Sequence, residues 1–244
     1  MLGPYARAAM LAFALWAALA GKATADDLAA FNAAIEEAAA HNRVAVGYLR
    51  TGNVDLAALE IDRLRTAWRQ VVARFSGKRP AEFKDTTLYG TTLTTVSARL
   101  VAADLMLNSG RPAAARQSLT AMREDLHALR KSAGVAVLAD CILDSNKAAA
   151  VFLAYDKRDL DWNKPQIRDD IAAAAAAYGK ALDRCDAMAS EGLRQQPEFR
   201  RLIDSAKDEI GRVPNAIETR DAGLLHRIVI ALRAIDNLLA FRFG

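Results

Sequence analysis

The sequence predicts an all-α protein, an up-down helical bundle built from duplicated αα-hairpins with a second helical half. Three observations carry this. Alanine is abundant, whereas only 13 glycines and 6 prolines are spread through 244 residues, too few for the turn density of a β protein. Apolar residues recur at three- and four-residue spacing, the period of a helix with one buried face. The glycines fall where those apolar stripes stop, as helix C-terminal punctuation does.

The first helix is expected over about 27–51, where Leu28, Phe31, Ile35, Ala38, Asn42, Ala45 and Leu49 share one face. Gly52 is its left-handed stop, and Asn53 is expected to cap the next helix. That second helix carries Leu56, Ile61, Leu64, Trp68, Val71 and Phe75. Residues 76–85, with Gly77 and Pro80, read as a loop. A third helix follows through Leu93, Val96, Leu100, Ala103 and Leu107, and Gly110 ends it. Pro112 suits the first turn of the fourth helix, whose stripe is Leu119, Met122, Leu126 and Leu129, with Gly134 as its stop. Beyond it, helices are expected near 135–155, 165–189, 197–212 and 221–242, the last bearing Leu225, Ile228, Leu232, Ile235 and Leu239.

The first two hairpins read as copies. Tyr48-Leu49-Arg50-Thr51-Gly52 aligns with Met106-Leu107-Asn108-Ser109-Gly110, and Ala57 and Arg65 then fall on Ala115 and Arg123. Helix, glycine turn and packed alanine is also the pattern of a tetratricopeptide hairpin, but that family repeats at about 34 residues and a third copy is missing. Two αα-hairpins closing a four-helix bundle account better for one duplication. The expected organisation is therefore a leader over 1–25, a four-helix bundle over 26–134 and a helical half over 135–244 packed on it.

The leader follows from Arg7, an apolar run from Ala8 to Ala20 and Ala23-Thr24-Ala25, a small-x-small signal-peptidase pattern placing the mature start at Asp26. The run is shorter than the ~20 residues a spanning helix needs, and no later uncharged segment is long enough. A periplasmic protein of a Gram-negative bacterium, without a membrane span once its leader is removed, is the expectation. The formal charge is +4, and loss of Arg7 and Lys22 leaves the remainder near +2. Charges alternate in sign; Arg63, Arg65 and Arg69 sit among Glu60 and Asp62. That pattern is a solvated helix face, not the single-sign stripe that tracks phosphates, so nucleic acid is excluded as a partner.

Cys141 and Cys185 are the only cysteines, and each lies on an apolar stripe, Cys141 near Leu138 and Ile142, Cys185 near Tyr178 and Leu182. Their helices are expected to be antiparallel neighbours across a loop near 156–163, with the two residues similarly far from the turn. In an oxidising compartment this predicts a disulfide. A redox pair or copper thiolates would need a CxxC motif or a nearby histidine, and both are missing in sequence. His41, His127 and His226 read as exposed or boundary residues, and Met106 and Met122 as core filler. Asp159, Asp161 and Asn163, with Asp170 closing, reproduce the oxygen spacing of a calcium loop, although Lys164 replaces its turn glycine and Pro165 follows. The competing reading is a turn into a helix capped by Asn163.

There is no HExxH, no glycine-rich phosphate loop and no Ser-His-Asp arrangement, so an enzyme is not expected. The alanine-rich, glycine-stopped bundle resembles the architecture of the periplasmic cytochrome b562 and cytochrome c-prime proteins. That resemblance implies a four-helix bundle and an electron-transfer setting; CxxCH is absent, and of the b562-type ligand pair only His226 has a counterpart. Two functions are expected to compete. One is a non-catalytic interaction or accessory module, for a respiratory or metal-handling system, with another periplasmic protein as partner and no cofactor. The other is a bundle holding non-covalent haem, a metal ion or a small molecule in its core.

Overall fold

The computed structural model describes residues 4–156 and 160–244, with side chains described from Asp27 onward. All its regular elements are helices, and no strand occurs among the described residues. The chain divides into two compact units, Met1–Val135 and Ala136–Gly244.

The first unit holds α1 (Pro4–Thr51), α2 (Val54–Phe75), α3 (Thr86–Asn108) and α4 (Pro112–Ser132). The chain is thus already helical at Pro4, and the helix expected to begin near residue 27 is the second half of a longer one; Gly21 is the weakest helix former between them, and the alanine-rich sequence around it carries the helix through. The side chains of the expected leader lie outside the described residues. α1 packs on α2, α3 on α4, and the α1–α4 and α2–α3 contacts close the ring. Short turns make consecutive helices antiparallel, which is the up-down order.

The stripes read from the sequence face this core, and Phe31, Ile35, Leu64, Trp68, Val96, Leu100, Leu119 and Leu129 are all buried; Leu56, expected on the α2 stripe, is instead 44% exposed in the first turn of that helix. The end nearest the 76–85 loop is closed by aromatic rings. Phe31 meets Phe75 edge-on at 5.3 Å between centroids, and Phe83 from the loop lies 5.2 Å from Phe31. Asn42, on the α1 stripe, is buried and donates from Nδ2 to the Leu119 carbonyl at 3.1 Å, tying α1 to α4. A polar residue in that stripe is tolerated because its amide finds a backbone acceptor.

The duplicated turns share one geometry. Gly52 (φ +80°) and Gly110 (φ +69°) take the left-handed conformation. The next N–H reaches back five residues in each, Asn53 to the Tyr48 carbonyl at 2.9 Å and Arg111 to that of Met106 at 2.8 Å. Ala57 and Ala115, equivalent in the two copies, are fully buried where each hairpin closes. Gly134 repeats the device, with Val135 N–H on the Arg130 carbonyl at 2.9 Å. Asn53, however, does not cap α2 with its side chain. Its ψ of 71° lies outside the extended cap region, and its Nδ2 donates to Thr51 Oγ1 at 2.8 Å instead.

The second unit holds α5 (Leu138–Leu153), α6 (Pro165–Met188), α7 (Glu191–Arg194), α8 (Pro197–Gly211), α9 (Val213–Glu218) and α10 (Ala222–Phe243). α5 lies between α6 and α10, while α8 bridges α10 and α6. Ile142, Phe152, Ile171, Tyr178, Leu182, Phe199, Ile203 and Ile228 form its core. The short helices α7 and α9 escape the periodicity reading because neither completes two turns. Ser190 starts α7 by accepting the Leu193 N–H at 3.3 Å, and Pro214 occupies the first turn of α9. At α6 the cap position is Lys164, not Asn163 as expected, with Pro165 just inside. Asn163 is drawn one residue upstream, its N–H donating to Asp161 Oδ1 at 3.2 Å.

Candidate functional site

Cys141 on α5 and Cys185 on α6 form a disulfide, with Cα atoms 5.4 Å apart. Both are buried in the core of the second unit. The bond ties two helices already packed together and is placed as a structural cross-link; no free cysteine remains among the described residues.

His41 and His226 each face a carboxylate. His41 Nδ1 lies 2.8 Å from Glu60 Oε2 across α1 and α2, and Arg63 holds the other Glu60 oxygen at 2.5 Å. Glu60 is buried, so its charge is shared between these two partners. His226 Nδ1 on α10 lies 2.5 Å from Asp156 Oδ1, while Arg233 reaches Oδ2 at 3.1 Å. The His226 hydrogen bond, against the opposing effect of burial and with help from Arg233, holds the Asp156 carboxyl below the usual carboxylate range. His127 corrects the sequence reading, being buried and not exposed or at a boundary. α4 is covered on two flanks, by α3 through the Arg99–Asp125 ion pair and by α1 through Asn42, so its buried arc is wider than one stripe.

Of the expected calcium ligands, Asp161, Asn163 and Asp170 are each engaged by other groups of the protein. Asp161 is engaged by Lys164 Nζ at 3.5 Å and by the Asn163 N–H. Asn163 Oδ1 accepts from Arg220 at 3.2 Å, and Asp170 Oδ1 accepts from Gln166 at 2.6 Å within α6. α6 starts at Pro165, so the carbonyl that would be the loop's backbone ligand enters the helix's own hydrogen-bond ladder. Asp159 lies outside the described residues. Among the described residues no group of three or more His, Cys, Asp or Glu is placed to hold a metal ion. Met122 is buried in the core, and Met106 packs at its edge.

Two polar groups of the second unit meet at Asp236. Asn146 Nδ2 donates to Asp236 Oδ1 at 2.8 Å, and the Tyr178 hydroxyl lies 3.5 Å from the same oxygen. Burial first, then the Asp236 charge, raises the Tyr178 phenol far above its ordinary range, so it stays neutral.

The feature that these accounts leave over is α3. Its inner face, Tyr89, Leu93, Val96, Leu100, Ala103 and Leu107, is buried. Opposite runs a second set, Thr87, Thr91, Thr94, Ala98, Val101, Leu105 and Asn108, all exposed and spaced alternately by four and three residues. Val101 is 53% exposed and Leu105 61%. Neither charge in α3 lies in this seam. Arg99 turns to Asp125 on α4, with Nη2 3.2 Å from Oδ1, and Asp104 turns to Arg65 on α2 at 3.4 Å. Beside the seam a shallow groove, floored by Gly90, Ala98 and Ala102, extends to Ser118 of α4. The threonines and Asn108 of this seam are polar enough for water, but Val101 and Leu105 leave two large apolar side chains in it without cover from the bundle. The signal was present in the spacing, but threonine and alanine read as surface filler until the inner face is fixed.

Compared with protein-family models, with curated proteins and with solved structures, the chain matches none.

Proposed function

We propose that this chain is an exported, non-catalytic interaction module, an accessory protein of the periplasm that works by docking through the outer face of α3. The observation that carries the reading is the uncharged, exposed seam from Thr87 to Asn108 in a protein whose residues are 25% charged. An a/d-type spacing of uncharged side chains is what a partner helix packs against. The disulfide supports the compartment, since such bonds persist where thiols are not kept reduced. The leader over 1–25 supports export.

Two measurements test the two halves of this reading. N-terminal sequencing of the exported protein is expected to begin at Asp26; a membrane-bound product beginning at Met1 overturns export. A photoreactive residue replacing Val101, activated in the producing cell, is expected to give a protein adduct. Its absence overturns docking at α3.

A further inference from the structure

Building on the docking reading, we infer that the partner of the α3 seam is a second copy of this chain, packed antiparallel across a two-fold axis near Arg99 and Leu100. The argument starts from size. Along the seam the small residues lie in the N-terminal half and the large apolar ones in the C-terminal half, Val101 and Leu105 being the most exposed. In the antiparallel register Ala98 faces Val101 of the partner subunit, Thr94 faces Leu105 of the partner subunit, and Thr91 faces Asn108 of the partner subunit. Each layer joins one small and one larger side chain, and symmetry repeats it. In a parallel pair Leu105 would crowd Leu105 of the partner subunit, while Thr91 would meet only Thr91 of the partner subunit.

Charge selects the same orientation. Asp85 caps the start of α3, with Oδ1 accepting the Leu88 N–H at 2.9 Å, and Arg111 follows its end. Both are exposed, and neither belongs to an ion pair among the described residues. Antiparallel packing puts each Asp85 at the same end of the seam as Arg111 of the partner subunit, at both ends of the seam. Parallel packing would set Asp85 on Asp85 and Arg111 on Arg111 of the partner subunit. Antiparallel helices also oppose their dipoles, whereas parallel ones align them. Between the two ends the seam itself carries no charge; the flanking Arg99 and Asp104 are each paired within the bundle, so a second copy would meet ion pairs and not lone charges beside it.

The test uses the full oxidised protein in sedimentation equilibrium. A dimer is expected at about 100 μM, and a monomer there overturns the inference. Ala98→Arg, at an exposed position, is expected to give a monomer with unchanged helical circular dichroism and a Tm that, unlike that of the wild type, does not rise with protein concentration; a dimer that survives it is not built on this seam. Asp85→Asn keeps the helix cap and removes the charge. It and Arg111→Gln are each expected to raise the dimer Kd about two- to five-fold, with the double variant no weaker than the worse single one. Effects that multiply instead overturn the antiparallel register. The adduct formed in the cell separates this inference from the docking reading. An adduct of twice the chain mass supports the dimer. An adduct to a different protein leaves docking in place and overturns the second copy, and no adduct overturns both.

Discussion

The Trp68 indole N–H donates to the Ser97 hydroxyl at 2.9 Å, joining α2 to α3 through a ring that is otherwise enclosed by apolar side chains. Ser97 in turn donates to the Leu93 carbonyl at 2.9 Å, so the acceptor is held in place by its own helix. Trp68→Ala therefore removes both a large buried volume and a satisfied hydrogen bond. The expected loss is about 3–5 kcal/mol in equilibrium unfolding. Trp68→Phe keeps most of the packing and is expected to cost about 1–2 kcal/mol, the scale of the hydrogen bond and a small void. Equal losses for the two variants would show that volume is not what this ring contributes.

The helical stripes and their stops were legible because periodicity and glycine report local physics. Phe31, Ile35 and Ala38 on one helix, and Leu93, Val96 and Leu100 on another, needed only a 3.6-residue repeat to be placed inside. The Cys141–Cys185 pairing was legible because both residues lie on core-facing stripes of consecutive helices, although Cys141 stands 12 residues before the end of α5 and Cys185 20 residues after the start of α6, so equal distance from the turn is not what aligns them. What failed depends on tertiary cover or on single torsions. His127 is buried because two neighbouring helices flank α4, which no property of its own helix foretells. Asn53 and Asn163 carry the residue type of a cap, but ψ and the preceding turn decide whether the side chain reaches the helix. The outer seam of α3 is written in the same spacing as its core, yet it becomes visible only once the core face is known to be taken.

Reduction of the disulfide is expected to loosen the second unit without unfolding the protein at room temperature. The bond spans 44 residues, for which the loop-entropy model gives about 4 kcal/mol as an upper bound. Cys141→Ala with Cys185→Ala should lower the unfolding midpoint while far-ultraviolet circular dichroism stays helical. Denatured, non-reduced wild-type protein should yield no free thiol in a quantitative thiol assay. Two thiols per chain would remove the cross-link from the account.

The contact of α6 with α8 carries a pH dependence. Arg200 grips both oxygens of Asp186, at 2.9 and 3.0 Å, and Lys207 stands 3.2 Å away. The Arg200 hydrogen bonds, against the opposing effect of burial, hold the Asp186 carboxyl below its ordinary value. A depressed folded-state pKa means that the stabilisation is present above the unfolded carboxylate pKa and is lost as pH falls through the folded one. Asp186→Asn is expected to cost roughly 1 kcal/mol at neutral pH, discounted for the partial exposure of the pair. The gap between variant and wild type should close in acid below about pH 4. A gap that is constant through acid would assign the effect to packing.

Arg220 offers a test of the turn logic from the opposite side. It is the one non-glycine residue with positive φ among those described, at 52°. Its turn is built as the glycine turns are, for Asp221 N–H reaches back to the Ala216 carbonyl at 3.0 Å, as Asn53 does to Tyr48. At Gly52, Gly110 and Gly134 the same place is filled by a residue without a β-carbon. An L residue there bears a steric cost of about 1 kcal/mol, which Arg220 offsets in part by donating to Asn163 Oδ1 at 3.2 Å. That hydrogen bond is exposed and contributes about 0.5 kcal/mol. Arg220→Gly is therefore expected to be close to neutral, the relief of about 1 kcal/mol of strain being offset by the lost contact and by the added chain entropy of glycine, about 0.5 kcal/mol each. Arg220→Ala loses the contact and keeps the strain, so it should destabilise by the worth of the contact, about 0.5 kcal/mol. Chemical denaturation of the two variants side by side decides the matter: Gly above Ala by about 0.5 kcal/mol is the expected order, and the reverse order would show that strain at this φ is smaller than the chain entropy that glycine adds.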